Sequence, residues 1–191
     1  MDDQPPLYFY RAGAEGRLLS LEKQLKRRPD VAEKYCQVME VNVAKGYVRK
    51  VEPGVVDDGA SWYLPHFPVV REDKQTTEVR IVYDSAARYG GISLNDTMLP
   101  GPKLQQEISD VLLRFRKNPV ALVADTTEMF SQVVMEKQDR LYHRFLWRGL
   151  DLTRPLQVYE AMRLLFGDRA SQYGRNTLYD NMLKTIKMPT Q

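Results

Sequence analysis

The chain has 191 residues, of which 43% are hydrophobic and 28% are charged, and this is the composition of a folded globular protein rather than a disordered one. Its length suggests one domain, or one domain with an appendage. The sequence has no run of about 18 uncharged apolar residues, and its amino terminus lacks the basic and apolar regions of a secretory signal. We therefore expect neither a membrane-spanning nor a secreted protein.

Cysteine, histidine and charge limit the chemistry further. Cys36 is the only cysteine, so an internal disulfide is impossible and a reducing compartment is favoured. The two histidines, His66 and His143, have no second ligand at metal-binding spacing, so no zinc site is predicted. Residues 1–136 carry 18 Lys and Arg against 20 Asp and Glu, whereas residues 137–191 carry 10 against 5. A basic second part suits a phosphate-backbone partner and is also common on solvated surfaces.

The first part of the chain is predicted to be helical. Apolar residues recur at helical spacing in two stretches, 18–25 and 31–39, and Pro29 separates them. An acidic, glycine-containing loop follows the second stretch. We therefore predict a helical leader of two helices, residues 1–53, ahead of a second unit, residues 54–191.

The second unit mixes strands and helices. Residues 62–70 read as extended, and residues 78–84 alternate β-forming side chains. Residues 103–117 have helical periodicity, and residues 120–124 form a short buried strand that leads into Asp125. Further strands and a last helix are predicted at 133–135, 141–147, 157–162 and 173–187. This order of elements predicts an α+β fold.

Ten short blocks of specific sequence follow one another after residue 61. They are WYLPHFPV (62–69), VRIVYDSA (79–86), SLND (93–96), LPGP (99–102), RFR (114–116), VAD (123–125), MFSQV (129–133), DR (139–140), RFLW (144–147) and LFG (165–167). In this order the blocks resemble the reverse transcriptase of BEL/Pao long-terminal-repeat retrotransposons. The stretch 14–52 is also similar to the leader that precedes the fingers in that family.

The resemblance implies the fingers and the first part of the palm of a right-hand polymerase, with an origin in a Pol polyprotein whose other domains would be partners. It implies RNA-directed DNA polymerase activity, in which a primer on an RNA or DNA template attacks a dNTP with the help of two Mg²⁺ ions. The expected location is the cytoplasm, virus-like particles or the nucleus.

Five residues acquire site roles through the resemblance. Asp125 matches the first catalytic, metal-binding aspartate, although its position alone favours a residue that caps the following short helix. Phe130 matches the aromatic residue beneath the sugar of the incoming deoxynucleotide, with a core phenylalanine as the alternative. Arg80 suits a triphosphate because its guanidinium binds two oxygens at once. Gln132 matches a polar residue beside the nucleotide pocket, and Gly167 matches a turn that contacts the incoming base and template.

Two features depart from the family. A Ser-Pro pair usually follows the glycine turn, whereas this chain has Ser171 and Gln172, so the geometry of the turn is open. The Tyr-x-Asp-Asp hairpin that supplies the remaining metal carboxylates does not occur, and the two Asp-Asp pairs lie at 2–3 and 57–58, outside apolar strands. Because one carboxylate cannot hold two Mg²⁺ ions, we expect that this polypeptide alone does not extend primers. Whether its end is natural or a truncation stays open.

A non-catalytic nucleic-acid-binding remnant is the alternative. It is suggested by basic side chains interleaved with aromatic ones in residues 137–191, since arginines bind phosphates and aromatic rings stack on bases. The arginines concerned are Arg140, Arg144, Arg148, Arg154 and Arg163.

Overall fold

The computed structural model of the chain combines helices with two small antiparallel sheets, which confirms the predicted mixed α and β class. The residues that it describes are 8–52, 61–71, 79–99, 101, 106–117, 119–120 and 125–171. No helix within these ranges is both long enough and apolar enough to cross a membrane.

The two predicted leader helices are present as α1, Tyr8–Lys26, and α2, Pro29–Ala44. Pro29 occupies the first turn of α2, where a missing backbone N–H removes no helical hydrogen bond. Gly46 follows the second helix with a φ of 68°, a left-handed conformation that glycine adopts without strain. Both helices bury the apolar stripes expected from their spacing. The buried side chains are those of Leu18, Leu21, Leu25, Val31, Tyr35 and Met39.

Five strands form a sheet and a separate hairpin. The sheet has the order β1–β5–β4, in which β1 is Val48–Lys50, β4 is Arg144–Trp147 and β5 is Gln157–Ala161. The hairpin pairs β2, His66–Val70, with β3, Val79–Tyr83. The strands predicted near these positions are therefore present, but β4 begins only at residue 144 because a 3₁₀ turn precedes it.

Two short helices complete the elements between the hairpin and β4, namely α3, Leu94–Thr97, and α4, Ile108–Phe115. The helix predicted over 103–117 is thus present in its second part. All of its described residues are exposed. A 3₁₀ helix spans Met129–Gln132.

The predicted strand at 133–135 is shorter than expected. Two backbone hydrogen bonds, of 3.0 and 3.1 Å, and the single bridge Val134–Arg163 join segment 133–135 to segment 162–164. We call this pairing the short ladder. The predicted helix 173–187 lies outside the described residues, and so do residues 121–124 of the predicted strand 120–124. Val120, the first residue of that strand, is exposed.

Helices and strands share one hydrophobic core, and His66 lies within it. The Tyr35 hydroxyl donates to Nδ1 of His66, and Nε2 of His66 donates to the Leu146 carbonyl at 2.8 Å. Because a carbonyl only accepts, Nε2 carries a proton, and in the neutral ring that burial favours, Nδ1 is free to accept from Tyr35. Burial lowers the pKa of His66 from 6.5 to about 4, with the hydrogen bond to Leu146 opposing part of that shift. Aromatic rings surround the imidazole, namely Tyr35, Tyr83, Phe145 and Trp147.

We expect the neutral His66 to make the chain sensitive to mild acid. Between pH 6.5 and about 4 the unfolded chain binds a proton at His66 that the folded chain excludes, so stability falls as pH falls through this window. Across the whole window, the free energy of unfolding should decrease by about 3 kcal/mol. Urea unfolding from pH 4 to 7 should show a smaller pH dependence for His66→Gln than for the unmodified protein. His143→Gln is the matched control. If both variants lose the same amount of the pH dependence of the unfolding free energy, the assignment of this dependence to His66 is wrong.

Candidate nucleotide-binding site

Three of the five predicted site residues lie in one turn, residues 125–132, which we call the site turn. Asp125 is exposed at its beginning, and Phe130 is half-buried. The side-chain amide of Gln132 donates to the Thr127 carbonyl at 3.2 Å, so Gln132 closes the turn on itself. The fold thus brings these three residues together locally, as their spacing in the sequence requires.

Glu128 anchors the site turn to the helical leader. Its carboxylate accepts hydrogen bonds from Lys45 Nζ at 2.6 and 2.9 Å and from the Tyr47 hydroxyl at 2.7 Å. The hydrogen bonds from Lys45 and then from Tyr47 lower the pKa of Glu128. Its backbone is left-handed, with a φ of 51°, which is uncommon for a residue with a side chain. The sequence assigns Glu128 no role, because its partners lie more than 80 positions away along the chain.

Phe130 faces the turn that contains Gly167. The short ladder is antiparallel, so the residues before segment 133–135 lie beside the residues after segment 162–164. As a result, the Phe130 ring meets the Phe166 ring edge to face, with 5.5 Å between centroids. Phe166 is 59% exposed. Its position directly before Gly167, in the block 165–167, was the signal in the sequence that could have identified it.

Position 167 requires glycine because the backbone of Tyr83 comes close to it. Its φ is 122°, and a Cβ added there would lie 2.7 Å from the Tyr83 carbonyl oxygen and 4.0 Å from a methyl group of Val82. Val82 and Arg80 share one face of β3, since alternate residues of a strand point the same way. Arg80 is exposed on that face, two residues from the position where Gly167 sits. The hairpin therefore carries Arg80 to the neighbourhood of Gly167.

Asn95 holds both sides of the glycine turn, by which we mean residues 165–169. The Asn95 amide donates to the Gly167 carbonyl at 3.1 Å, and its Oδ1 accepts from the Arg169 backbone N–H at 2.7 Å. Asn95 lies in α3, which begins with a capping box between Ser93 and Asp96. Asn95 had no role assigned from sequence, because its partners are more than 70 positions away.

The carboxylates of the described residues do not fit a two-metal centre. Asp125 is exposed, and the strand predicted to lead into it lies outside the described residues. Within the ranges that the structure describes, no group of three histidine, cysteine, aspartate or glutamate side chains is arranged to hold a metal ion. A single exposed carboxylate does not supply the ligands that a pair of Mg²⁺ ions needs.

Most of the arginines that suggested a nucleic-acid surface contact the protein instead. Arg144 is buried and donates to the Ser61 hydroxyl at 2.6 Å. Arg148 forms two hydrogen bonds, of 2.7 and 2.5 Å, with the buried carboxylate of Glu22 in α1. Arg140 donates twice to the Met135 carbonyl. These contacts stabilise the fold and leave less positive charge for a partner than the sequence suggested.

Comparison with known proteins gives no family assignment. No protein-family model matches the chain, and no curated protein matches it. Support for a function therefore comes from the ten-block resemblance and from the geometry of the candidate site. That geometry brings Phe130, Phe166 and Gly167 together and places Arg80 on the same face of β3 as Val82, which lies near Gly167.

Gly167→Ala should destabilise the protein strongly, because the new methyl group would meet a backbone oxygen at 2.7 Å and the φ of 122° is strained for any side chain. We expect a loss of about 2–4 kcal/mol in urea unfolding. Gly149→Ala is the matched control, since Gly149 has a φ of 72° with open space around its added Cβ. That variant should lose only about 1–2 kcal/mol. Equal losses in the two variants would show that the contact with Tyr83 is unimportant.

Proposed function

We propose that the chain is the fingers and the first part of the palm of an RNA-directed DNA polymerase, a reverse transcriptase fragment of a BEL/Pao-type retroelement. The observation that carries the proposal is the meeting of Phe130 with the glycine turn. These two elements belong to separate blocks of the resemblance, and the resemblance implies that both blocks line one nucleotide pocket. Their edge-to-face contact supports that assignment.

In this proposal the deoxynucleoside triphosphate lies between the hairpin and the site turn. Arg80 binds phosphate oxygens through its guanidinium, whose planar fork holds two oxygens at once. The Phe130 ring lies beneath the sugar and leaves no room for a 2′-hydroxyl, the one group that separates a ribonucleotide from a deoxynucleotide at that position. The backbone at Gly167 approaches the base. The natural partners are an RNA or DNA template with its primer, and the other Pol domains.

The chain described here carries Asp125 and lacks a Tyr-x-Asp-Asp motif. The reaction of the intact family uses two Mg²⁺ ions to stabilise the attacking and leaving oxygens, and the described residues do not form such a centre. The proposed activity of this polypeptide is therefore nucleotide and template–primer binding. Catalysis would require the missing carboxylates from further sequence. A Tyr-x-Asp-Asp motif in the DNA downstream of codon 191 would support this origin.

Purified protein incubated with a labelled primer–template, the four dNTPs and Mg²⁺ should give no extended product, because one carboxylate cannot support two-metal transfer. Extension is read on a denaturing gel, with an active reverse transcriptase as the positive control. Clear elongation that disappears in Asp125→Asn would show that the second set of ligands lies within this chain. The polymerase assignment would then survive, and the expectation of inactivity would be wrong.

Nucleotide binding tests the pocket itself. A fluorescent dATP analogue should bind the unmodified protein, and Arg80→Ala should weaken binding roughly tenfold, since a hydrogen bond to a charged group contributes about 1.5–3 kcal/mol. Arg154→Ala is the matched control, because Arg154 is an exposed arginine that pairs with Asp151. Unlabelled dATP should compete better than ATP, and Phe130→Ala should reduce that preference. An absence of binding in the unmodified protein would overturn the proposed function.

A further inference from the structure

A buried polar cluster lies behind the glycine turn, and the nucleotide pocket proposed above does not use it. The side chain of Asp168 is only 2% exposed. Its Oδ1 accepts a hydrogen bond from the Ser85 hydroxyl, and its Oδ2 lies 3.2 Å from Nε2 of His143. The Ser171 hydroxyl donates to the Leu165 carbonyl at 2.7 Å and lies 3.5 Å from the same Oδ2. We call these side chains the Asp168 cluster.

The order of contacts excludes nucleophilic catalysis by Ser85. An activated serine donates its proton to an imidazole, which is in turn oriented by a carboxylate. Here Ser85 donates directly to Asp168, and His143 lies on the other side of the carboxylate. Among the residues that the structure describes, the order serine–carboxylate–imidazole replaces the order serine–imidazole–carboxylate that a catalytic triad needs. The cluster therefore acts through structure rather than through chemistry on a substrate.

The contacts of the His143 ring favour its doubly protonated, positively charged form. Its Nδ1 lies 2.8 Å from the Asp139 carbonyl, which only accepts hydrogen bonds, so Nδ1 is protonated. Its Nε2 faces the Asp168 carboxylate, which favours a second proton. Burial opposes this charge, but the contacts with Asp168 and then with Asp139 outweigh burial and raise the pKa of His143 above 6.5. The charged groups that face the ring are the carboxylates of Asp168 and Asp139.

The Asp168 cluster joins three separate parts of the chain. Ser85 follows β3, His143 directly precedes β4, and Asp168 belongs to the glycine turn. The cluster therefore pulls the turn onto the end of the hairpin, where the Tyr83 carbonyl approaches Gly167. Asn95 adds two hydrogen bonds to the same turn. The glycine turn, which lacks the proline usual in the family, is thus held in place by the side chains of Ser85, His143 and Asn95.

We propose that Asp168 is a positioning residue for the nucleotide pocket, and that its pair with protonated His143 locks the glycine turn so that Phe166 stays against Phe130. Loss of the imidazole proton weakens the lock and with it nucleotide binding. The effect on nucleotide binding rests on the proposed function, whereas the lock itself does not. The ion pair stabilises the folded chain fully below pH 6.5, and this contribution is lost as pH rises through the higher folded value.

Proton NMR of the imidazole rings tests the lock directly, because the chain has only two histidines. His66→Gln identifies the His143 signal by elimination. We expect the His143 signal to titrate with a midpoint above 6.5 in the unmodified protein and to shift downward in Asp168→Asn. Asp151→Asn, which removes the charge of a carboxylate in a different turn, should leave the midpoint in place. A midpoint that does not move in Asp168→Asn overturns the lock.

Amide hydrogen exchange shows whether the lock fixes the turn. Residues 165–171 should lose protection in Asp168→Asn, while the amides of α2 keep theirs. His143→Gln serves as a second, milder variant, since its amide can still donate to Asp168. In that variant the protection of residues 165–171, relative to α2, should no longer depend on pH between 6 and 9. Equal protection of the turn in all three proteins contradicts a positioning role.

Binding of the fluorescent dATP analogue then separates the two proposals. In the unmodified protein, affinity should fall as pH rises past the His143 midpoint, and in His143→Gln this decrease should be absent. If the unmodified protein binds no nucleotide at any pH, the proposed function fails, while the NMR and exchange results still decide the lock. If nucleotide binds with the same pH dependence in both proteins, the positioning role of the Asp168 cluster is wrong.

Discussion

The candidate site depends on the short ladder between segments 133–135 and 162–164. Because the two segments run antiparallel, the site turn that precedes one and the glycine turn that follows the other must lie side by side. The ladder is itself attached to the sheet, since the Met162 N–H donates to the Tyr47 carbonyl at 2.8 Å beside β1. Tyr47 also binds Glu128 through its hydroxyl. Tyr47, which directly precedes β1, thus contacts both the site turn and the segment 162–164.

The helical leader belongs to the scaffold of this site. Lys45 directly follows α2 and binds Glu128, and Tyr35 of α2 binds the buried His66 of the hairpin. On the other side, α1 contributes Glu22, whose carboxylate binds Arg148 just after β4 with both side chains largely buried. A buried charge pair of this kind is costly to separate. In the leader, α2 therefore positions the candidate site, and α1 positions the sheet. Residues on both sides of the predicted boundary at residue 53 pack in one hydrophobic core.

Local patterns in the sequence predicted the parts of the fold that local physics determines. The stripe from Leu18 to Leu25 and the proline at position 29 fixed two helices, and alternation around Arg80 fixed β3. The anchoring of Glu128 could not be predicted, because 83 residues separate it from Lys45 and charge pairs leave no periodic signal. The same holds for the Asp168 cluster, whose partners come from three elements. In the candidate site, the resemblance supplied residue identities, whereas their mutual contacts required the fold.

The excess of arginine in the second part of the chain has a structural use that a count of charges does not reveal. A guanidinium can offer five donors in a fixed plane, so it satisfies buried carboxylates and carbonyls better than lysine does. Arg148 does this for the Glu22 carboxylate, and Arg140 does it for the Met135 carbonyl. Net charge therefore overestimates the positive surface that a nucleic acid would meet. In the proposed nucleotide site, phosphate is recognised by the exposed side chain of Arg80, which lies on a hairpin whose Tyr83 carbonyl comes close to Gly167.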